Sequence, residues 1–184
     1  MPPSNLSKPI YFGSFLVTPQ VFHQTPLSFA LVNLKPILPG HVLISPKRRV
    51  PRIKDLTAAE ITDLFSTVQR VSRTIERVFN ATALNIAIQD GEEAGQSVPH
   101  IHAHIIPRKN ADLDNRGGKD AVYEIMDGPE GNIGAHLEEA TEAKSHKPLK
   151  VDADDARKPR TVEEMNKEAE WLTAEMAKDD NNIS

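Results

Sequence analysis

One domain that mixes β-strands with helices is predicted for this chain, and three observations predict it. Residues 28–46 hold two short β-rich runs, residues 57–79 carry apolar side chains at helical spacing, and residues 100–106 alternate histidine with apolar residues. A chain of 184 residues with 39% hydrophobic and 26% charged content suits one compact domain plus a tail.

The first two strands are read as two short β-rich runs within residues 28–46, broken by a Pro/Gly connection at Pro39-Gly40 that places His41 at the entry to the second. Thr57 and Glu60 form a capping box, and Ile61, Leu64, Phe65, Val68, Val71, Ile75 and Val78 follow close to a period of 3.6, so an amphipathic helix runs from Thr57 to Phe79. Leu84, Ile86 and Ile88 alternate with Asn85, Ala87 and Gln89, which gives a third strand ending at the turn signal Asp90-Gly91. The loop 90–97 leads into Pro99-His100-Ile101-His102-Ala103-His104-Ile105-Ile106-Pro107. Beyond Lys109 the stretches 112–120 and 131–134 carry little that could be buried, and a mobile loop is expected there. From Glu138 to Pro159 charge and alanine dominate without a sustained period. A second capping box at Thr161 and Glu164, with Met165, Ala169, Leu172 and Met176 at helical spacing, predicts a short C-terminal helix that packs back on the body.

Composition narrows the chemistry. With no cysteine, disulfides, thiolate metal sites and cysteine nucleophiles are excluded, and histidine chemistry is favoured. The residues after Met1 are too polar for a secretory signal, and no apolar run approaches ~20 residues, so a soluble protein of the cytoplasm or nucleus is expected. Net charge is −4, but the sign is divided: through Asn110 twelve Lys and Arg stand against seven Asp and Glu, and beyond it ten stand against nineteen. The basic part holds the histidines, which suits an anionic ligand.

A strand through the histidine run would aim all three imidazoles to one face and set Ile101, Ala103 and Ile105 on the other. Three readings compete. A solvated polar row gains little, because neighbouring rings repel once protonated. A zinc site needs three nitrogens at ~2.1 Å from one ion, whereas same-face Cβ atoms along a strand are roughly 6.5–7 Å apart, so a bend or help from elsewhere would be required. Nucleophilic catalysis at phosphorus is favoured by the flanking residues: Gly95 permits a sharp turn, and Gln96, Ser97 and Val98 offer amides and a hydroxyl to phosphate oxygens. A neutral imidazole, with an ordinary pKa of ~6.5, is a competent nucleophile if its other nitrogen keeps a proton on a carbonyl or carboxylate.

His100-Ile-His-Ala-His-Ile-Ile106 fits, position by position, the signature of the histidine triad superfamily, His-φ-His-φ-His-φ-φ with φ apolar. The longer text from Gln89 to Lys109, with Ser28–Pro36 and Pro39–Pro46 upstream, resembles its fragile-histidine-triad branch, the dinucleoside polyphosphate hydrolases. The resemblance implies an α+β fold with an antiparallel sheet, one long helix and one C-terminal helix, assembled as a homodimer. It divides the chain into a catalytic domain (1–127), an acidic flexible segment (128–160) and a terminal helix (161–178). It implies hydrolysis of diadenosine triphosphate to AMP and ADP, or of the tetraphosphate to AMP and ATP, through a nucleotidyl-histidine intermediate. His102 would be the nucleophile and His104 would hold phosphate oxygens. His100 would supply the carbonyl that fixes the tautomer of His102, with His41 behind the group. Asn33 would contact the ribose, and Gln89, Gly95, Gln96, Ser97 and Val98 would bind the phosphate chain. Mg²⁺ or Mn²⁺ would arrive with the substrate, without a dedicated protein metal site. Tyr123 matches a tyrosine of the family's mobile loop. The alternatives are a dinucleotide-loaded signalling module with slow turnover and a nucleoside phosphoramidase. Neither a membrane nor nucleic acid is an expected partner, since there is no zinc finger, no basic-aromatic interleaving and no pI above ~9.

Overall fold

The computed structural model describes residues 8–143 and 159–181. It opens with a hairpin, β1 (Tyr11–Phe12) and β2 (Phe15–Leu16), that turns at Gly13 with φ +60°. A five-stranded antiparallel sheet follows, built from β3 (Val21–Gln24), β4 (Ser28–Val32) and β5 (Val42–Pro46), then, after helix α1 (Ala58–Phe79), from β6 (Ala83–Ala87) and β7 (Ala103–Arg108). The spatial order is β3-β4-β5-β7-β6, so the histidine-bearing strand lies between β5 and β6. Two helices, α2 (Ala121–Asp127) and α3 (Ile133–Ala143), come next, and α4 (Val162–Asn181) ends the described chain. This is an α+β fold.

Opposed residues of an antiparallel ladder share a sheet face, and the register assigns the two faces. Ile105 stands opposite Val42 and Ile86, and His104 opposite Leu43 and Ala87. The Ile105 face carries α1, whose Leu64, Val68, Val71 and Ile75 join Val42, Ile44 and Ala103 in the main core. The opposite face carries the even-numbered residues of β7, and there Ile106 packs with Ile37, Leu113, Val122 and Met126 beneath α2. Helix α4 lies across β3, β4 and α1, with Met165, Ala169, Leu172 and Met176 buried. It is tied to α1 by Arg77, which pairs with Glu175 at 2.7 Å and Asp179 at 2.8 Å.

Helix α1 starts and stops where local chemistry dictates. Thr57 Oγ1 accepts the Glu60 N–H at 3.2 Å while the Glu60 carboxylate accepts the Thr57 N–H at 2.8 Å, and Asn80 closes the other end in the left-handed region. Arg48 pairs with the same Glu60, and this bond with the cap holds its carboxyl down at about 2. Two members of the sequence stripe, Ile61 and Phe65, stay on the surface.

Two expectations are corrected. The strand does not span the whole histidine run: it begins at Ala103, because the Ile101 N–H goes to the Val50 carbonyl and the His100 N–H to Val98, which takes both out of the ladder. Within 128–160, helix α3 forms over residues 133–143 and buries Ile133, His136 and Leu137, a short apolar side missed because acidic residues surround it; residues 144–158 of that segment lie outside the described residues.

Thr57→Ala removes one partner of the reciprocal cap and is expected to cost about 1 kcal/mol. Urea denaturation should show a lower midpoint with an unchanged slope.

Candidate active site

Backbone groups decide where each imidazole keeps its proton. His102 Nδ1 lies 2.9 Å from the carbonyl oxygen of His100, which can only accept, so the proton sits on Nδ1 and the lone pair on Nε2. The N–H of Ile37 donates to His41 Nδ1 at 3.1 Å, so the His41 proton sits on Nε2 and is donated to His104 Nδ1 at 3.0 Å. His104 therefore carries its proton on Nε2, and that nitrogen is buried with no hydrogen-bond partner among the described residues. A buried N–H without an acceptor costs free energy until an oxygen reaches it. The ring centroids of His102 and His104 are 4.9 Å apart, so the two rings are neighbours.

His100 plays a different part. Its Nδ1 accepts the Gly13 N–H at 3.0 Å and its Nε2 donates to the Pro46 carbonyl at 2.8 Å, so the ring is spent on structure and does not face a ligand. Phe12 stacks on it at 5.6 Å and meets His102 edge-on at 5.0 Å. A Cβ at position 13 would fall 2.7 Å from Val98, so glycine is needed for the approach as well as for the turn. Ser45 Oγ donates to the Ile101 carbonyl at 2.9 Å and fixes the same segment from β5. Phe12, Gly13 and Ser45 escaped the sequence reading; the turn glycine between two aromatics, Phe12-Gly13-Ser14-Phe15, was the available signal.

Burial keeps the rings neutral. Desolvation pushes His102 down to about 4, against the hydrogen bond to the His100 carbonyl, which favours the charged form. His104 is held well below the usual histidine range by burial first and then by its two histidine neighbours. His100 is lowered by burial as well.

The loop before the histidines is strapped at both ends. Asp90 accepts the Ile53 N–H at 2.9 Å and Arg52 Nε at 3.0 Å. Gln96 Oε1 accepts the Gly91 N–H at 3.1 Å while its Nε2 donates to the Pro51 carbonyl at 2.7 Å, which leaves one amide proton for a ligand. The N–H groups of Gly95 and Gln96 are spent on Glu92 and Gly91, whereas those of Ser97 and Val98 have no partner among the described residues. Gly95 sits at φ +87° against Gln89, whose Nε2 a Cβ would meet at 2.4 Å. Helices α2 and α3 rest on this loop: Gln89 Nε2 reaches the Met126 carbonyl at 3.5 Å, and Ser97 Oγ accepts the Gly134 N–H at 3.1 Å. Between loop and helices lies a cleft of about 830 Å³ whose wall includes Gly95, Gln96 and Ser97.

Asn33 and His41 bracket the β4–β5 connection. Asn33 Oδ1 accepts the Lys35 N–H at 3.0 Å, which turns Nδ2 toward His41 Nε2 at 3.5 Å. Because that nitrogen bears a proton in this tautomer, the contact is no hydrogen bond and the amide protons of Asn33 remain available. Tyr123, on α2, is largely exposed and accepts from Asn85 Nδ2 at 3.3 Å. Among the described residues no group of three or more acidic or histidine side chains is arranged to hold a metal ion, and no helix is long and apolar enough to cross a membrane.

A five-stranded antiparallel sheet that presents backbone-locked histidines beside a strapped glycine loop defines a histidine-triad protein. The HIT domain model matches residues 16–111. A bis(5'-nucleosyl)-tetraphosphatase (asymmetrical) of Schizosaccharomyces pombe is 52% identical over 174 residues, covering 91% of this chain and 94% of its own. A bis(5'-adenosyl)-triphosphatase of Dictyostelium discoideum is 45% identical, covering 88% and 89%. The crystal structure of Plasmodium falciparum diadenosine triphosphate hydrolase in complex with cyclomarin A superposes with a TM-score of 0.67 at 28% identity over 94% of this chain and 86% of that one. The chain belongs to the HIT domain family and is an enzyme.

The lowered histidines set a pH dependence. For His102 the folded value of about 4 lies below the unfolded ~6.5, so its contribution to stability is whole above about 6.5 and is lost as pH falls toward 4. Thermal midpoints measured from pH 7.5 to 4 should drop through this window, and His102→Asn should flatten part of the drop.

Proposed function

We propose that this protein hydrolyses dinucleoside polyphosphates, diadenosine triphosphate to AMP and ADP or the tetraphosphate to AMP and ATP, through a nucleotidyl-histidine intermediate. The observation that carries the reading is the pairing of an unprotonated, buried His102 Nε2 with the unpartnered N–H of His104 Nε2. Relatives named for dinucleotide hydrolysis over nearly the whole chain support the substrate class.

His102 Nε2 attacks the α-phosphorus; the N–P bond forms as the P–O bond to the nucleoside di- or triphosphate breaks, and the leaving group carries off that electron pair. Water then attacks the same phosphorus and gives up a proton to solvent, the N–P bond breaks with its electron pair returning to Nε2, and AMP leaves a neutral imidazole behind. The His104 N–H donates to a non-bridging oxygen, where charge rises in the transition state. The carbonyl of His100 accepts a shorter, charge-assisted bond from Nδ1 as the ring becomes cationic. The Ser97 and Val98 N–H groups, the Ser97 hydroxyl and the remaining amide protons of Gln89 and Gln96 take the polyphosphate, and Asn33 takes the ribose. Gly95 allows Gln89 to lie over the chain. The divalent cation, Mg²⁺ or Mn²⁺, belongs to the substrate and neutralises the polyphosphate outside the histidine group.

A homodimer is part of the proposal. Strand β6 pairs with β7 on one side and is a sheet edge on the other, with Ile86 half exposed on the face that carries α1. Ile61 and Phe65 on α1 are exposed as well, and a second copy would cover such apolar side chains. A soluble nucleotide substrate fits an enzyme of the cytoplasm or nucleus.

Incubation with diadenosine triphosphate and Mg²⁺, followed by chromatography, is expected to yield AMP and ADP in equal amounts; no product from the folded wild-type protein would sink the reading. His102→Asn should lose at least about 10⁴ in kcat while still binding a non-hydrolysable analogue, because the phosphate contacts survive loss of the nucleophile. The acid limb of kcat/KM should fall near pH 4 and not near 6.5, since the free enzyme must keep His102 neutral.

A further inference from the structure

Resting on the reading that Asn33 contacts the substrate sugar, we infer that Arg160, held by Glu168, is a positioning residue for nucleotide binding. The β4–β5 connection is secured from within by side-chain bonds at Asn33 and His41, and from without by Arg160. Arg160 Nε donates to the Asn33 carbonyl at 3.1 Å, Nη2 donates to the same oxygen, and the Arg160 N–H donates to the Leu34 carbonyl at 3.0 Å. The remaining arm of the guanidinium pairs with Glu168, two turns along α4. Both side chains are about four-fifths buried, so the pair is sheltered from the screening that weakens surface bridges.

The location of Arg160 is itself fixed. It directly precedes Thr161, whose capping box with Glu164 starts α4, and α4 is anchored on β3, β4 and α1 by its buried face. Arg160 thus carries the position of a helix remote in sequence to the peptide carbonyl of Asn33. Holding that carbonyl fixes the direction of the Asn33 side chain, and misplacing a contact that is equal in ground and transition states raises KM with little change in kcat.

Arg77 supplies the control, since it anchors the same helix to α1 away from Asn33. If Arg160 merely stabilised α4, Arg160→Ala and Arg77→Ala would act alike. The inference expects Arg160→Ala to raise KM for diadenosine triphosphate about tenfold with kcat within about threefold, and Arg77→Ala to lower the thermal midpoint with KM within about twofold. Arg160→Lys, which keeps one donor for the carbonyl, should recover part of the loss, and Glu168→Gln should raise KM by less than Arg160→Ala. Equal KM values for Arg160→Ala and Arg77→Ala overturn the inference. Should Arg160→Ala not fold, Arg160→Lys and Glu168→Gln against Arg77→Ala decide by the same comparison. Should wild-type protein not turn over the dinucleotide, the proposed function fails by itself, and titration calorimetry with AMP makes the same comparison of affinities.

Discussion

The Nδ1 proton of His102 rests on the carbonyl of His100, 2.9 Å away, and the rest of the site is arranged around that bond. An imidazole has one proton to place when neutral, and a backbone carbonyl two residues earlier leaves no choice about where it goes. Such a bond survives only if the residue that supplies the carbonyl cannot move. His100 is accordingly immobilised on every side: Gly13 donates to one ring nitrogen, Pro46 accepts from the other, and Phe12 covers the ring. The first histidine of the run is thus a structural clamp, and its chemistry is exercised by its peptide group.

Burial serves reactivity here by opposing charge. The desolvation that lowers His102 and His104 disfavours the imidazolium, so both rings hold a defined neutral tautomer at neutral pH. The same enclosure leaves the His104 N–H without an acceptor among the described residues, which costs free energy that an incoming oxygen would recover. In a low-dielectric pocket that donor is worth more to an incoming phosphate oxygen than it would be in water. Folding and the proposed chemistry therefore draw on the same groups, since the burial that opposes charge on these rings also leaves the His104 donor unpaired among the described residues.

The site is assembled from parts distant in sequence. Its donors come from β7, from the loop 90–97 and from the β4–β5 connection, while α2 and α3 rest on Gln89 and Ser97 and α4 reaches Asn33 through Arg160. These contacts are polar, while the helices that make them are seated by apolar packing, α2 through Val122 and Met126, α3 through Ile133 and Leu137, and α4 through Leu172 and Met176. A basic catalytic body bearing more acidic outer helices also matches the division of charge along the chain.

Local patterns were enough for much of this. Alternation placed His104 on the face opposite Ala103 and Ile105 of β7, and Asn85 on the face opposite Leu84 and Ile86 of β6. Capping boxes at Thr57 and Thr161 marked two helix starts to the residue, because these signals depend only on neighbours within one or two turns. What alternation could not reveal was where the strand would begin, since Val50 takes the Ile101 N–H across some fifty residues of chain. Nor could spacing disclose that Gly13 would meet His100, that Ile37 would set the tautomer of His104 through His41, or that Arg160 would hold Asn33. The sequence by itself determined which residue types share a face within β6 and β7 and where α1 and α4 start; only the tertiary structure decided which nitrogen bears each proton, because that choice belongs to backbone groups brought together by folding.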